Sequence, residues 1–232
     1  KETKNPLTCA RTHSTILDAY RQDFDKYAKK LQIKYVELVF KNIPTQLGRK
    51  FKYSLIEGEY RKRELAPALD LLITAGIAHK IFHSAGQGAP LGAQIDPLDY
   101  KVIFLDVALG QVLLDLDVAG WFLDPHAEFV NKGALVESFI GQEILAYDDP
   151  HAKKNLYYWN RHARGSEAEV DYLIQQKNLI NPIEVKSGTG KTLKSIQLFL
   201  ESHPSTPYGL RFSTQNYSEY QKIKSFPLYA VA

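Results

Sequence analysis

The sequence predicts an α/β protein in which a winged helix-turn-helix precedes an α/β sandwich built around a mixed central sheet. Two observations carry this prediction. In the first half, apolar residues recur at helical spacing, and a helix that ends at a glycine precedes two short strands, which is the element order of a winged helix. In the second half, a helix precedes three strands, and a further helix and strands follow, which is typical of a layered α/β domain.

The first half, residues 1–106, is predicted to be a helical, winged-helix domain. Apolar periodicity indicates helix from Ile16 to about Leu47 and again over Arg61–Ala75. Pro67 lies inside the second segment, where it would kink the helix or mark its true start. The two predicted strands of the wing are 77–82 and 101–105, on either side of a glycine-rich turn.

The second half is predicted to be a connecting segment, 107–132, followed by the sandwich domain, 133–232. Helices are expected over 133–147 and 193–202. A polar turn is expected over 161–168, after the first strand of this domain. The predicted strands are 156–160, 170–175, 180–186, 208–213 and 227–231.

Composition narrows the class of protein. Hydrophobic residues make up 44% of the chain and charged residues 24%, as in ordinary globular proteins, and the apolar runs are too short to cross a membrane. A single cysteine excludes an internal disulfide and a cysteine-based zinc cluster. We therefore expect a cytoplasmic protein. Its net charge of +3 permits a nucleic-acid partner without requiring one.

Asp171, Glu184 and Lys186 form the candidate catalytic site. Residues two apart on a strand face the same way, so Glu184 and Lys186 project together, and Asp171 reaches them from the neighbouring strand. Hydrolysis of a phosphodiester needs an activated water and stabilised charge on phosphorus, and a divalent cation provides both. We expect Mg²⁺ or Mn²⁺ to be held by Asp171, Glu184 and the backbone carbonyl of Val185, with Lys186 holding the water or the phosphate.

Glu137 is a fourth candidate for this site. It lies at the edge of the apolar stripe of its helix, where a carboxylate can point over the end of the sheet. Glu143 competes for the role, because it projects nearer the middle of the stripe. A purely structural ion network of Asp171, Glu184 and Lys186 is the alternative to a metal site.

Basic and aromatic residues supply weaker candidates for nucleic-acid contacts. A surface cation binds phosphate or merely keeps the surface solvated, and an aromatic residue on a strand stacks on bases or belongs to the core. Ser187–Thr192 resembles the end of a phosphate-binding loop, but Val185 stands where the first glycine is needed. The candidates for phosphate contact are Arg61, Lys62, Arg63, Lys191 and Lys194, those for stacking are Tyr157, Tyr158 and Trp159, and His162 is a weak candidate for the site.

Four stretches, Val136–Leu145, Tyr158–Asn160, Glu169–Asp171 and Pro182–Gly188, resemble a bacterial and archaeal family of predicted AAA-type ATP-binding proteins. The C-terminal region of that family is the domain of unknown function 4143. Residues 130–213 also look like the PD-(D/E)XK nuclease superfamily, with spacing similar to that of archaeal Holliday junction resolvases.

The resemblance implies a restriction-endonuclease-like sandwich and DNA as a partner. It also implies that an AAA-type ATPase domain precedes Lys1 in the same polypeptide. ATP would then be bound only by that missing domain. A chain that begins at Lys1 rather than at Met fits this expectation of a fragment.

Three functions remain open at this point. They are a Mg²⁺- or Mn²⁺-dependent deoxyribonuclease, a non-catalytic module that positions the ATPase on nucleic acid, and a platform that binds protein. The combination of Asp171, Glu184 and Lys186 favours the first, and the modest net charge favours the other two. We therefore predict a nuclease-like, DNA-associated C-terminal region of an ATP-binding protein.

Overall fold

The computed structural model describes residues 5–27, 30–115, 132–149, 151, 155–163, 166–188 and 192–231. Within these residues the chain forms six α-helices and eight β-strands. The helices are α1 (Pro6–Tyr27), α2 (Lys30–Asn42), α3 (Lys62–Thr74), α4 (Val107–Leu113), α5 (Lys132–Ala146) and α6 (Lys194–Ser202). The strands are β1 (Ala78–Ser84), β2 (Ile95–Phe104), β3 (Leu156–Ala163), β4 (Ser166–Gln176), β5 (Leu179–Val185), β6 (Gly209–Ser213), β7 (Ser218–Tyr220) and β8 (Ile223–Pro227).

All eight strands belong to one mixed sheet in the order β2-β1-β3-β4-β5-β6-β8-β7. Antiparallel pairs join β3 to β4, β4 to β5 and β7 to β8. Parallel pairs join β1 to β3, β5 to β6 and β6 to β8. The predicted α/β class with a mixed central sheet is confirmed.

The chain divides into two compact units. The first comprises residues 1–79 and 102–131, and the second comprises residues 80–101 and 132–232. The division therefore runs through β1 and β2. The two strands predicted as a wing lie in the sheet, where β1 pairs with β3 from Ile81 opposite Leu156 to His83 opposite Tyr158. The winged helix itself stays a prediction.

Helices form the core of the first unit. Helical structure is predicted from Ile16 to about Leu47, and two helices, α1 and α2, occupy that stretch as far as Asn42. Phe40 of α2 is fully buried, and its ring centroid lies 5.2 Å from that of Phe24 on α1. The second predicted helix is present as α3, which ends before Gly76, a residue with φ of 74° that suits glycine.

The predicted connecting segment contains a helix of its own. Asp106 is the N-cap residue of α4. Its carboxylate accepts hydrogen bonds from the backbone N–H of Ala108 at 2.8 Å and of Leu109 at 3.0 Å. Seven residues are too few for apolar periodicity to reveal a helix. Most of the remaining predicted connection lies outside the described residues.

In the second unit, α6 packs against β4 and β5, and α5 packs against β5. The aromatic ring of Phe199 on α6 lies 5.3 Å from that of Trp159 on β3, and both residues are buried. The apolar cluster around them includes Val170 and Leu173 of β4. These residues form the core between α6 and the sheet.

Two predictions for the second unit are wrong, one of a turn and one of a strand. The polar stretch 161–168 is mostly strand, because β3 runs to Ala163 and β4 starts at Ser166. Pairing between the two strands satisfies the backbone there, although Arg161 and Glu167 are exposed. The last predicted strand, 227–231, is displaced by β8, and a short 3₁₀ turn follows at Leu228–Ala230.

No helix among the described residues combines the length and the apolar character that crossing a bilayer requires.

Candidate functional site

A β-bulge in β4 positions Asp171. Tyr157 and Trp159 are two residues apart on β3, whereas their partners on β4, Leu173 and Val170, are three residues apart. The extra residue in β4 lies in the segment Asp171–Tyr172. Because Val170 and Leu173 both belong to the core under α6, the bulge leaves Asp171 and Tyr172 outside that core. Bulges commonly re-aim side chains in this way next to functional sites.

Asp171 is tied to the end of β5. The ladder between β4 and β5 runs from Gln176 opposite Leu179 to Tyr172 opposite Ile183. Beyond that point, Asp171 Oδ2 accepts a hydrogen bond of 2.7 Å from the backbone N–H of Val185. This hydrogen bond holds the carboxylate of Asp171 at Val185, the residue between Glu184 and Lys186.

Glu184 is a buried carboxylate with one satisfied oxygen. Its side chain is 5% exposed, and Oε1 accepts a hydrogen bond from the Nζ of Lys186, whose side chain is 32% exposed. Its second oxygen, Oε2, is buried and has no hydrogen-bond partner within the part of the chain that the structure describes. On the neighbouring strand β6, Arg211 lies in register with Glu184 and is also buried. An oxygen left in this state costs free energy unless a ligand binds it.

Burial raises the pKa of Asp171 well above its usual value, and the negative charges of Glu137 and Glu184 raise it further. Lys101 and the N–H of Val185 act in the opposite direction. Burial also raises the pKa of Glu184, although Lys186 lowers it. Both carboxyl groups are therefore held in an environment that disfavours their charged form.

Lys101 is a residue of this cluster that the sequence interpretation missed. It lies on β2 with its side chain 1% exposed. Its Nζ is 2.9 Å from Oε1 of Glu137 and 2.5 Å from Oε1 of Glu169. The sequence does contain one signal of its burial. Lys101 directly precedes an apolar run, and a charged side chain next to such a run is expected to be buried with a partner.

Glu137 and Glu143 can now be distinguished. Glu137 contacts Lys101, and its charge contributes to the raised pKa of both Asp171 and Glu184. Glu143, in contrast, accepts a 3.4 Å hydrogen bond at Oε1 from Nε2 of Gln142, its neighbour in the chain. Glu137 is therefore the glutamate of α5 that belongs to the electrostatic environment of the site.

The aromatic residues of β3 belong mainly to the core. Trp159 is 6% exposed and packs against Phe199, and Tyr158 is 1% exposed. The hydroxyl of Tyr158 donates a hydrogen bond to Asp99. Tyr157 is partly buried against the cluster under α6. The structure therefore favours the core interpretation over base stacking.

Three of the basic candidates lie far from this cluster in sequence, whereas Lys191 and Lys194 follow Lys186 closely. Arg61, Lys62 and Arg63 are exposed at the start of α3, and Lys62 Nζ lies 6.0 Å from the ring centroid of Tyr53. Lys194 is exposed at the first position of α6. Lys191 and the side chain of His162 lie outside the described residues.

Among the described residues, no group of three or more His, Cys, Asp or Glu side chains has the geometry to hold a metal ion. The site expected from Asp171, Glu184 and Val185 is of another kind, since it has two carboxylates and a backbone carbonyl.

Comparison with known families gives two matches. Residues 132–231 match the family described as domain of unknown function DUF4143. Residues 1–119 match the family described as domain of unknown function DUF8612. No curated protein and no solved structure matches the chain. Because the second match spans 119 of the 232 residues, the chain belongs to the DUF8612 family, and it carries a DUF4143 region after it.

Proposed function

We propose that the second unit is a nuclease-like domain that binds a divalent cation and DNA, and that it belongs to the C-terminal region of an AAA-type ATP-binding protein. The observation that supports this most directly is the buried Oε2 of Glu184, which has no partner among the described residues. Asp171 is anchored to the next residue, Val185, and Lys186 contacts the other oxygen of Glu184. The restriction-endonuclease-like topology of this domain is part of the proposal.

The donor set suits Mg²⁺ or Mn²⁺. Both are hard cations that take oxygen ligands and keep several waters, so two carboxylates and the carbonyl of Val185 suffice. The raised pKa values of Asp171 and Glu184 reflect burial and mutual repulsion, and a bound cation would relieve both. When bound, the cation supplies an activated water and neutralises charge on the phosphate.

Each residue of the site has a separate role in this proposal. Asp171 and Glu184 hold the cation, and the ammonium group of Lys186, which is 32% exposed, binds a phosphate oxygen or orients the attacking water. Glu137 shapes the charge around Asp171 through its position beside Lys101. None of these roles requires a third carboxylate on the cation.

The helices of the first unit are proposed to be the helix-turn-helix part of a winged helix and to dock on nucleic acid. The support is the exposed cluster Arg61, Lys62 and Arg63 at the start of α3, whose side chains can contact phosphate oxygens. Lys194 is a further proposed phosphate contact in the second unit.

A DNA-binding module that does not cut is the second candidate function. One observation favours it. Lys101 is paired with both Glu137 and Glu169, and Lys186 is paired with Glu184, as expected of a structural ion network. In this case the module would position the AAA-type ATPase on nucleic acid.

The test is incubation of the full chain with supercoiled plasmid and with branched DNA in Mn²⁺ or Mg²⁺. We expect cutting that falls at least tenfold in Asp171→Asn and Glu184→Gln and that persists in Glu201→Gln, an exposed glutamate of α6. Cutting that survives in both site variants would overturn the nuclease proposal.

DNA binding is measured in parallel. The triple variant Arg61→Gln, Lys62→Gln and Arg63→Gln should weaken binding and flatten its salt dependence, because each lost phosphate contact reduces the slope of log K against log salt by about 0.9. Intact, salt-dependent binding without cutting would favour the non-catalytic module. Absence of binding would exclude both DNA functions.

A further inference from the structure

Lys101 carries a buried charge to which the proposed function assigns no contact with the cation or with the phosphate. Its side chain is 1% exposed at the end of the β2 segment that belongs to the second unit. The Nζ atom lies 2.9 Å from Glu137 Oε1, 2.5 Å from Glu169 Oε1 and 5.1 Å from the ring centroid of Tyr158. Helix α5, strand β4 and strand β3 thus each contribute one partner.

Burying an ammonium group is expensive, and even a well-paired buried ion pair often contributes no more stability than apolar residues of similar volume. Packing alone therefore gives no reason to have lysine at position 101. A positive charge fixed between two carboxylates has a different consequence, which is that the carboxylates are not available to another cation.

The position of the ammonium group is one that a metal ion would otherwise suit. The carboxylates of Glu137 and Glu169 come from different elements, and their oxygens converge on one point. Converging carboxylate oxygens are the ligands that Mg²⁺ and Mn²⁺ prefer. Many enzymes that cleave phosphodiesters hold two such ions about 3.5–4 Å apart.

The charges of the cluster agree with a single exchangeable ion. Four carboxylates and two ammonium groups give a formal charge of −2 when all are ionised, and the guanidinium group of Arg211, buried in register with Glu184, reduces it to −1, so one divalent cation is sufficient to offset it. A second divalent cation would add two positive charges beside the buried ammonium group of Lys101. The carboxylates and ammonium groups counted are Glu137, Glu169, Asp171, Glu184, Lys101 and Lys186.

We propose that Lys101 is a built-in cation that limits the site to one divalent ion. Its ammonium group occupies the position between Glu137 and Glu169 that a second ion would take, and it leaves Asp171 and Glu184 to hold the first. Lys101 is thus a positioning residue that determines the number of ions bound. This inference rests on the proposed cation site at Asp171 and Glu184.

The test counts Mn²⁺ ions bound to the full chain, by electron paramagnetic resonance of the free ion and by calorimetry. Wild type should bind one Mn²⁺, and Asp171→Asn should weaken that binding at least tenfold. Lys101→Met, which keeps the length of the side chain but removes the charge, should bind two. Glu137→Gln in the Lys101→Met background should return the count to one.

Lys222→Met serves as the matched control, because Lys222 is exposed between β7 and β8 and has no role in the proposed site, so this variant should still bind one Mn²⁺. If circular dichroism shows that Lys101→Met does not fold, Lys101→Gln replaces it, since its amide still donates a hydrogen bond to one carboxylate.

The outcomes separate the two proposals. Two ions on wild type, or a single ion on folded Lys101→Met with wild-type affinity, would overturn the role of Lys101 while the site at Asp171 and Glu184 stands. No bound ion on wild type, or binding that Asp171→Asn and Glu184→Gln leave unchanged, would overturn the proposed site and this inference with it.

Discussion

The backbone of Gly141 on α5 lies directly against the side chain of Tyr172 on β4. A Cβ atom at position 141 would lie 2.4 Å from the hydroxyl oxygen of Tyr172 and 2.8 Å from its Cζ. The same hydroxyl donates a 2.8 Å hydrogen bond to the backbone carbonyl of Glu137, one helical turn earlier. Tyr172 therefore fixes the distance between the helix that carries Glu137 and the bulge that carries Asp171.

Gly141→Ala should destabilise the protein. Overpacking of a tight core typically costs about 1–3 kcal/mol, and the helix propensity gained from alanine offsets at most about 1 kcal/mol of that. Urea unfolding followed by circular dichroism measures the change. Gly133→Ala, in the same helix, is the matched control, because the nearest atom to its Cβ is Ser187 Oγ at 3.9 Å. Equal stability of the two variants would contradict the close contact.

Tyr172→Phe tests the hydrogen bond separately from the packing. Removal of the hydroxyl should lower the free energy of unfolding by about 1 kcal/mol, the usual net value of such a bond. Measured by urea unfolding, the loss should be larger than that of Tyr220→Phe. Tyr220 is 65% exposed and serves as the control. A value no larger than that of the control would show that the bond contributes nothing.

Asp106→Ala should weaken the start of α4. The carboxylate accepts hydrogen bonds from the N–H groups of Ala108 and Leu109, and loss of such a cap typically costs about 1 kcal/mol. Asp106→Asn keeps an acceptor at the same position and should unfold within a few tenths of a kcal/mol of wild type in a urea titration. If the two variants are equally unstable, the carboxylate acts through its charge rather than as a cap.

The metal-free protein should lose stability as the pH rises above about 4. Burial, reinforced by neighbouring carboxylates, raises the pKa of Asp171 and Glu184 above the values of about 3.9 and 4.3 found in unfolded chains. The folded state therefore binds more protons than the unfolded state. The contribution of these two groups to the free energy of unfolding is fully present below the pKa that they have in the unfolded chain. It is lost as the pH rises through the higher pKa that they have in the folded protein.

This pH dependence is measured by urea unfolding between pH 4 and pH 8 in the presence of a chelator. Asp171→Asn and Glu184→Gln should flatten the decline and be more stable than wild type at pH 8. Glu201→Gln, which removes an exposed carboxylate, should retain the wild-type slope. A wild-type curve that rises over this range would show that the two carboxyl groups are not buried as described.

The proximity of Glu184 and Lys186 was predictable because it follows from the two-residue repeat of a strand. The neighbouring position of Asp171 was predictable for a similar reason, since only a short turn separates β4 from β5. Its hydrogen bond to Val185 was not, because it depends on the bulge in β4, which leaves no mark on hydrophobic periodicity.

The contacts of Lys101 could not be predicted from local pattern. Glu137 and Glu169 lie 36 and 68 residues away along the chain. They meet Lys101 because β1 and β2 join the same sheet as β3 and β4. The pairing of β1 with β3 is a parallel contact between distant segments, and such contacts have no short-range sequence signal. The same pairing explains why the two early strands were interpreted as an isolated wing.

The place of β1 beside β3 affects how the DUF4143 region can be produced in isolation. A polypeptide that starts at residue 132 lacks β1, so the backbone of β3 around residues 156–158 becomes an open sheet edge, and such edges promote intermolecular pairing and aggregation. It also lacks Lys101, and Glu137 and Glu169 then face each other without a counterion. Truncations intended for expression should therefore begin before residue 78, where β1 starts.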